Sequence, residues 1–254
     1  MTKIEKNLLH RVIEIAQQMT EVGAEISRVE ESVARIFEAY GAVRVDVYAT
    51  TSNIIVSVEN PEGEVLTQTR RIGRSTMDME RLHQYNDLVR WISFKAPELS
   101  EIEKRLQQIQ YAAKYPVWLT ALFGGVISAS FCVFFGGRDA AEITIAFAVG
   151  VLINIVSAVL GKGKVSLLLI RFLCAFMASC IAVSSVKLGV IGKPDYILIG
   201  NIMILIPGVG LTNALRDLFS GDVMTGILRS IEAILLTLAI ALGIILPMLM
   251  GGVL

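Results

Sequence analysis

The chain has 254 residues, of which 54% are hydrophobic and 18% are charged, and its 23 basic and 23 acidic residues balance to no net charge. A soluble domain averages about 45–50% apolar and about 25% charged residues, so part of the chain is expected in lipid. The balanced charge gives no basic field for nucleic acid. Charged residues concentrate in the first half, which predicts a small cytosolic α+β domain over 1–113 and a transmembrane α bundle over 114–254.

The first predicted element is an amphipathic helix over 4–40, where apolar residues recur at steps of three and four. Gly23 interrupts the pattern, and Ser27-Arg-Val-Glu30 fits a capping box, so a break or bend is expected near 23–27. The N-terminus runs into this amphipathic pattern rather than into the apolar core of a signal peptide, so the domain is expected in the cytoplasm.

Alternating and β-branched residues then predict three strands, with a turn at Asn60-Pro-Glu-Gly63, before the helical period returns. The predicted strands cover 43–47, 53–58 and 65–72, and the two predicted helices cover 78–94 and 100–111. His10 and His83 are the only histidines, and neither has a Cys or Ser beside it. The chain is therefore not expected to be an enzyme, nor to hold a His-ligated metal or a cofactor.

The apolar half divides at charges and glycines into five segments, each long enough to cross a hydrocarbon core of about 30 Å. The five spans are expected at about 115–137, 143–161, 165–188, 195–215 and 223–253. With the first domain inside the cell, an odd number of spans places Leu254 outside. The loop charges agree with the positive-inside rule by a thin margin, and the expected location is the cell membrane, with multiple passes.

Small residues form a stripe on each of the first two spans, at four-residue intervals. The stripes comprise Gly124, Ser128 and Cys132 on span one, and Ala146, Gly150, Asn154 and Ala158 on span two. Such stripes are typical of close contact between helices, including contact between copies of a chain. Asn154 is also a candidate for facing a substrate path.

Span four carries the main candidate site. Pro207 removes a backbone donor and Gly208 loosens the helix beside it, so a break is expected at mid-depth. Many transporters bind their ligands with the free amides and carbonyls of such a broken helix. Asn201, Asn213 and Asp217 are expected on one face, since 12 and 16 residues are close to whole turns. The alternative is a kinked packing helix with a capped cytoplasmic end.

Other charges in the apolar half have simpler explanations. Arg171 is close enough to an interface to snorkel, so it need not be functional. Glu232 is expected just inside the hydrocarbon boundary of span five, which makes it a functional candidate. Gly161-Lys-Gly-Lys164 resembles a phosphate loop, but Val165 replaces the required Ser or Thr. ATP-driven pumping is therefore not expected, which leaves coupling to an ion gradient or facilitated flow.

Three segments together resemble the threonine/serine exporter (ThrE-type) family, over nearly the whole chain. They are Glu21-Val-Gly-Ala-Glu25-Ile-Ser-Arg-Val-Glu30-Glu-Ser, the strand pair around Thr50-Thr-Ser-Asn53, and Pro207-Gly208 with Arg216-Asp217 and Gly221-Asp222. The chain is similar to the N-terminal half of that family, in its YjjP-like subunit branch. The resemblance implies export of threonine and serine, or of a dicarboxylate such as succinate, and a separate small membrane subunit as partner.

On this hypothesis Arg216 attracts the carboxylate of the substrate, and Asp217 holds Arg216 or a residue of the cytosolic domain in place, or takes a coupling proton. The expected substrate site or transport path comprises Asn201, Pro207, Gly208, Asn213, Arg216, Asp217, Asp222, Asn154 and Glu232. The alternative function is that of a non-transporting regulatory or scaffold subunit in the membrane.

Overall fold

A computed structural model of the chain describes residues 6–73, 76–112, 115–163 and 165–252. The chain forms two compact units. The first contains residues 1–113 together with 213–228, and the second contains residues 114–212 together with 229–254. The sequence suggests one boundary, near residue 113, whereas the first unit also includes a short segment of the apolar half.

The first unit begins with two helices, α1 (Lys6–Glu21) and α2 (Ile26–Ala39), separated by a short turn as the sequence predicts. Gly23 in this turn has a φ of +97°, a conformation that strains any residue with a side chain. The predicted capping box is wrong, because Ser27 lies inside α2. The N-cap is Glu25, whose extended backbone suits a cap but whose side chain makes no cap hydrogen bond.

The three predicted strands form an antiparallel sheet in chain order, and two helices follow it. These elements are β1 (Arg44–Ala49), β2 (Asn53–Glu59), β3 (Val65–Arg71), α3 (Met79–Lys95) and α4 (Leu99–Gln110). Alternate residues of β2, such as Val56, point into a core shared with the helices. Phe37 of α2 and Tyr85 of α3 are fully buried there. The period-two and helical patterns therefore predict this unit closely.

The apolar half forms six helices among the described residues. They are α5 (Val117–Phe134), α6 (Ala140–Gly161), α7 (Leu167–Lys187), α8 (Asp195–Leu205), α9 (Gly208–Phe219) and α10 (Val223–Gly251). Within the part of the chain that the structure describes, four of them (α5, α6, α7 and α10) are long and apolar enough to cross a membrane. The pair α8 and α9 would make a fifth span, but it is bent by 50°.

Large apolar side chains of these helices are exposed on the outside of the second unit. Phe123 of α5, Leu238 of α10 and Leu249 of α10 are each more than half exposed. An apolar surface of this extent is unfavourable in water and is what a helical bundle presents to lipid. The second unit therefore has the surface of a membrane-embedded bundle.

The start of α6 differs from the predicted start at residue 143. The side chain of Asp139 accepts a hydrogen bond from the Ala141 amide at 3.1 Å and caps the helix, so α6 begins at Ala140. Glu142, one residue before the predicted span, therefore lies in the first turn of α6 and is only 8% exposed.

Candidate functional site

The break in the fourth predicted span lies at Ile206 and Pro207. Ile206 is extended, with φ of −62° and ψ of 129°, and α9 starts at Gly208. Pro207 has no amide hydrogen, so the carbonyl of Met203 lacks its usual helical donor. The amide of Gly208 donates to the Ile206 carbonyl at 2.9 Å instead of continuing α8. The break lies where the sequence predicts it, and a side-chain carbon built at Gly208 would meet nothing within 4 Å.

Asn201 lies on α8, before the break, and is 1% exposed. Its side-chain amide donates to the Ile197 carbonyl at 2.8 Å. Its Oδ1 atom is buried and accepts no hydrogen bond from any residue that the structure describes. A buried acceptor left unpaired costs about 1–3 kcal/mol, so this atom is a place where a polar ligand would gain binding energy.

The two small-residue stripes pack against each other in an antiparallel seam. A Cβ atom at Gly124 of α5 would lie 1.8 Å from Asn154 Nδ2, and one at Gly150 of α6 would lie 2.7 Å from the Gly124 carbonyl oxygen. Backbone lies against Gly150, so only glycine fits there, whereas a side chain at Gly124 would have to displace the side chain of Asn154. Asn154 is half-buried and donates to the Gly150 carbonyl at 2.9 Å. The contacts of these residues are those expected of helix packing.

Helix α8 packs on the same seam through Gly200. A Cβ atom there would lie 2.6 Å from the Ser128 carbonyl oxygen and 3.0 Å from the Cys132 amide nitrogen. The hydroxyl of Ser128 is buried without a hydrogen-bond partner among the described residues. The α5, α6 and α8 helices therefore contain two buried polar atoms without a partner among the described residues, Ser128 Oγ and Asn201 Oδ1.

Arg216 lies near the end of α9, in the first unit, and its guanidinium pairs with the carboxylate of Glu25. The side chain of Glu25 is 21% exposed and that of Arg216 is 65% exposed. The N-cap residue of α2 thus turns its side chain to α9 rather than to its own helix. Arg216 has five N–H donors, and its exposure leaves room for a second carboxylate.

Asp222 and Glu30 are close enough to interact electrostatically in the first unit. The Glu30 carboxylate accepts a hydrogen bond from the Ala49 amide at 2.8 Å. Burial raises the pKa of Glu30 above its ordinary value, the Ala49 hydrogen bond partly opposes this, and Asp222 raises the pKa further. Asp217 is 1% exposed, and Asn213 is half-buried.

The segment from Glu21 to Glu30 connects three parts of the first unit through its carboxylates. Glu21 accepts a hydrogen bond from the Gly73 amide at 2.9 Å, Glu25 pairs with Arg216, and Glu30 accepts from Ala49. The sequence predicts a role only for Glu30, as part of a capping box, and none of these three contacts. The only signal available was the presence of three carboxylates around a turn and the helix that follows it.

The predicted site residues do not lie on one continuous helix. The prediction that Asn201 shares a helical face with Asn213 and Asp217 is wrong, because it counts turns across the 50° bend that separates α8 from α9. Asn213 and Asp217 are one turn apart on α9. Glu232 is exposed on α10. Arg171 of α7 is half-buried, and its Nε atom has no partner among the described residues; snorkelling stays a prediction.

Comparison with known proteins identifies a family that the chain matches over most of its length. The family model described as "Putative threonine/serine exporter" matches residues 10–250. The chain is 31% identical over 242 residues to "Probable succinate transporter subunit YjjP" of Klebsiella aerogenes, covering 94% of this chain and 92% of that protein. The protein of the same name from Escherichia coli K12 is 31% identical over 232 residues, covering 91% and 89% of the two chains.

A longer relative matches over part of its length. The chain is 26% identical over 233 residues to "Threonine/serine exporter" of Corynebacterium glutamicum, a match that covers 87% of this chain and 47% of that protein. No solved structure matches the chain at a significant level.

Proposed function

Because this chain belongs to the threonine/serine exporter family, we propose that it is one subunit of a secondary transporter that exports small carboxylate-bearing metabolites. Both relatives of similar length are named as succinate transporter subunits, which favours a dicarboxylate as the first substrate to test. The longer relative is named as a threonine/serine exporter, so these amino acids are the second choice.

The proposed transporter works in the cell membrane, with the first unit in the cytoplasm and a separate small membrane subunit as partner. Two observations support the partner. The two relatives of similar length are named as subunits, and this chain matches only 47% of the length of the Corynebacterium glutamicum exporter. The apolar surface of the second unit supports a location in the bilayer.

The observation that carries the proposal is the broken pair of helices α8 and α9. The amides of Val209 and Gly210 precede the first hydrogen bond of α9, which Leu211 donates to the Pro207 carbonyl at 3.0 Å. Such amides, at the positive end of a helix, favour a carboxylate. The buried and unpaired Oδ1 of Asn201, on the preceding helix, supplies an acceptor for a hydroxyl or a protonated group.

Arg216 is proposed to attract the substrate from the cytoplasm, because it is the exposed cation at the other end of α9. Its pairing with Glu25 supports the expectation that it binds carboxylates. A substrate carboxylate would add to this pair or replace Glu25 in it.

The test is efflux from an exporter-deficient strain that expresses the chain together with its small partner subunit. Succinate and threonine efflux are measured at matched membrane expression for the wild type, Asn201→Ala, and the control Met203→Ala on the same helix. Asn201→Ala should lower transport roughly 5- to 150-fold, because it loses one hydrogen bond worth about 1–3 kcal/mol. Met203→Ala should transport at a rate close to that of the wild type.

Two results decide against the proposal in different ways. If the wild type exports and Asn201→Ala exports equally well, then the path does not pass α8. If the wild type with its partner exports neither solute, then the chain acts as a non-transporting regulatory or scaffold subunit.

A further inference from the structure

A groove lies between α1 and β3 in the first unit, and none of the residues of the proposed transport path lines it. Its volume is about 360 Å³, which falls in the range of about 300–1,000 Å³ that is usual for the sites of small ligands. Strand β3 is at the edge of the sheet, so no further strand of the described chain closes the groove on that side. The groove is therefore open to a solute.

The lining of the groove combines a small apolar surface with hydrogen-bond donors. Leu9 and Leu66 are buried, whereas Lys6 and Thr67 are exposed. No acidic residue lines the groove in the part of the chain that the structure describes. The ammonium group of Lys6 forms no ion pair with any described residue. A negatively charged group that enters the groove thus meets a cation and no competing carboxylate.

His10 connects the two walls of the groove through its ring nitrogens. Nδ1 lies 3.1 Å from the terminal amide of Gln68, and Nε2 lies 3.4 Å from Nη2 of Arg70. A guanidinium nitrogen can only donate, so Nε2 accepts from Arg70 and the ring proton is on Nδ1. Nδ1 then donates to the carbonyl oxygen of the Gln68 amide. This leaves the NH₂ group of Gln68, in the lining of the groove, without an acceptor among the described residues.

Arg70 keeps most of its hydrogen-bonding capacity after this contact. It lies within electrostatic range of Glu14, but the two carboxylate oxygens of Glu14 already accept from Arg11 and Gln110. No described residue forms an ion pair with Arg70. A guanidinium has five N–H donors, so the donors that His10 does not use need acceptors from elsewhere.

We propose that the groove between α1 and β3 binds a carboxylate or phosphate group. Its oxygens accept from Lys6 and Gln68, and Arg70 next to His10 supplies the second positive charge. Hydrogen bonds from charged donors to an anion are about twice as strong as neutral ones, so the anion is recognised by its charge. The group comes from a soluble metabolite or from the headgroup of a phospholipid. The site does not depend on the proposed transport function.

The two histidines of the chain allow binding to be measured at the groove itself. The full chain is prepared with isotope-labelled histidine in nanodiscs of phosphatidylcholine, and the ring signals are recorded by NMR at constant pH. His83 is exposed on α3, lies 3.3 Å from Asp87 and does not line the groove, so it serves as an internal control. Added succinate or inorganic phosphate should change the His10 signals in a saturable way and leave those of His83 unchanged. Sodium chloride at equal ionic strength should change neither.

Three variants test which residues bind the anion. Lys6→Gln and Arg70→Gln should each raise the half-saturating concentration roughly 10- to 150-fold, the loss expected for one charge-assisted hydrogen bond. The control Lys95→Gln removes an exposed cation from the last turn of α3 in the same unit and should leave this concentration unchanged. Lys6 is exposed at the start of α1, so its replacement tests the site without disturbing the core.

The source of the anion is decided by a second set of nanodiscs that contain phosphatidylglycerol. If the lipid supplies the phosphate, the His10 signals are already shifted in these nanodiscs without added solute, and Lys6→Gln and Arg70→Gln reduce that shift. The proposal is overturned if succinate, phosphate and phosphatidylglycerol all leave His10 unchanged, or if sodium chloride gives the same change. Equal half-saturation in the wild type, Lys6→Gln and Arg70→Gln would also overturn it. Transport is not measured here, so each of these results leaves the proposed function standing.

Discussion

Arg216 either holds α9 against α2 by pairing with Glu25, or attracts the carboxylate of the substrate. Exchanging the charges of Arg216 and Glu25 distinguishes these two roles. If Arg216 exists to hold α9 against α2, then Glu25→Arg combined with Arg216→Glu rebuilds the pair with the signs exchanged. If Arg216 exists to attract a carboxylate, the double variant lacks the necessary cation on α9. We expect the second result.

The expected magnitudes differ enough to be distinguished. The Arg216 side chain is 65% exposed, so its pair with Glu25 is worth about 0.2–1 kcal/mol, and Glu25→Gln should change efflux by no more than roughly fivefold. A charge-assisted hydrogen bond to a substrate carboxylate is worth about 1.5–3 kcal/mol. Arg216→Gln should therefore lower efflux roughly 10- to 150-fold, and the charge-reversed double variant should be as low.

Succinate efflux is measured for the wild type, the two single variants and the double variant, each at matched membrane expression and in the presence of the partner subunit. Membrane insertion should be the same for all four proteins, because each variant keeps polar side chains at residues 25 and 216. Recovery of the double variant to near wild-type efflux would refute the reasoning and make Arg216 a structural partner of Glu25. Equal loss in Glu25→Gln and Arg216→Gln would point the same way.

Two further predictions concern stability. The Cβ atom in Gly150→Ala would lie 2.7 Å from the Gly124 carbonyl oxygen, so overpacking of about 1–3 kcal/mol should lower the melting temperature by roughly 2–12 °C. The control Gly161→Ala places its Cβ in open space and should leave the melting temperature unchanged. Equal melting temperatures for the two variants would contradict the close packing of α5 against α6. Glu30 has a raised pKa when folded, so the wild type loses stability as the pH rises from below 4.5 through the raised value. Glu30→Gln should therefore melt at a higher temperature than the wild type near pH 7 but not near pH 4. A variant that is less stable than the wild type near pH 7 would show instead that the negative charge of Glu30 strengthens its hydrogen bond with the Ala49 amide.

The sequence predicts the local structure well because local rules decide it. The strand and helix periods give the sheet and the helices of the first unit, with boundaries within a few residues. The break at Pro207 follows from the missing amide, a covalent property of one residue. The bend of 50° then shows why a count of turns across residues 201–217 fails, since the helical period holds only within a continuous helix.

The sequence does not predict the partners of the carboxylates. Glu25 and Arg216 are 191 residues apart, and no local pattern connects them. The capping box fails because α2 begins before Ser27, and Glu30 accepts a hydrogen bond from the Ala49 amide of strand β1 instead. Glu142 lies just outside the span predicted over 143–161. Helix α6 instead begins at Ala140, because the side chain of Asp139 caps it, so Glu142 falls in the first turn and is buried.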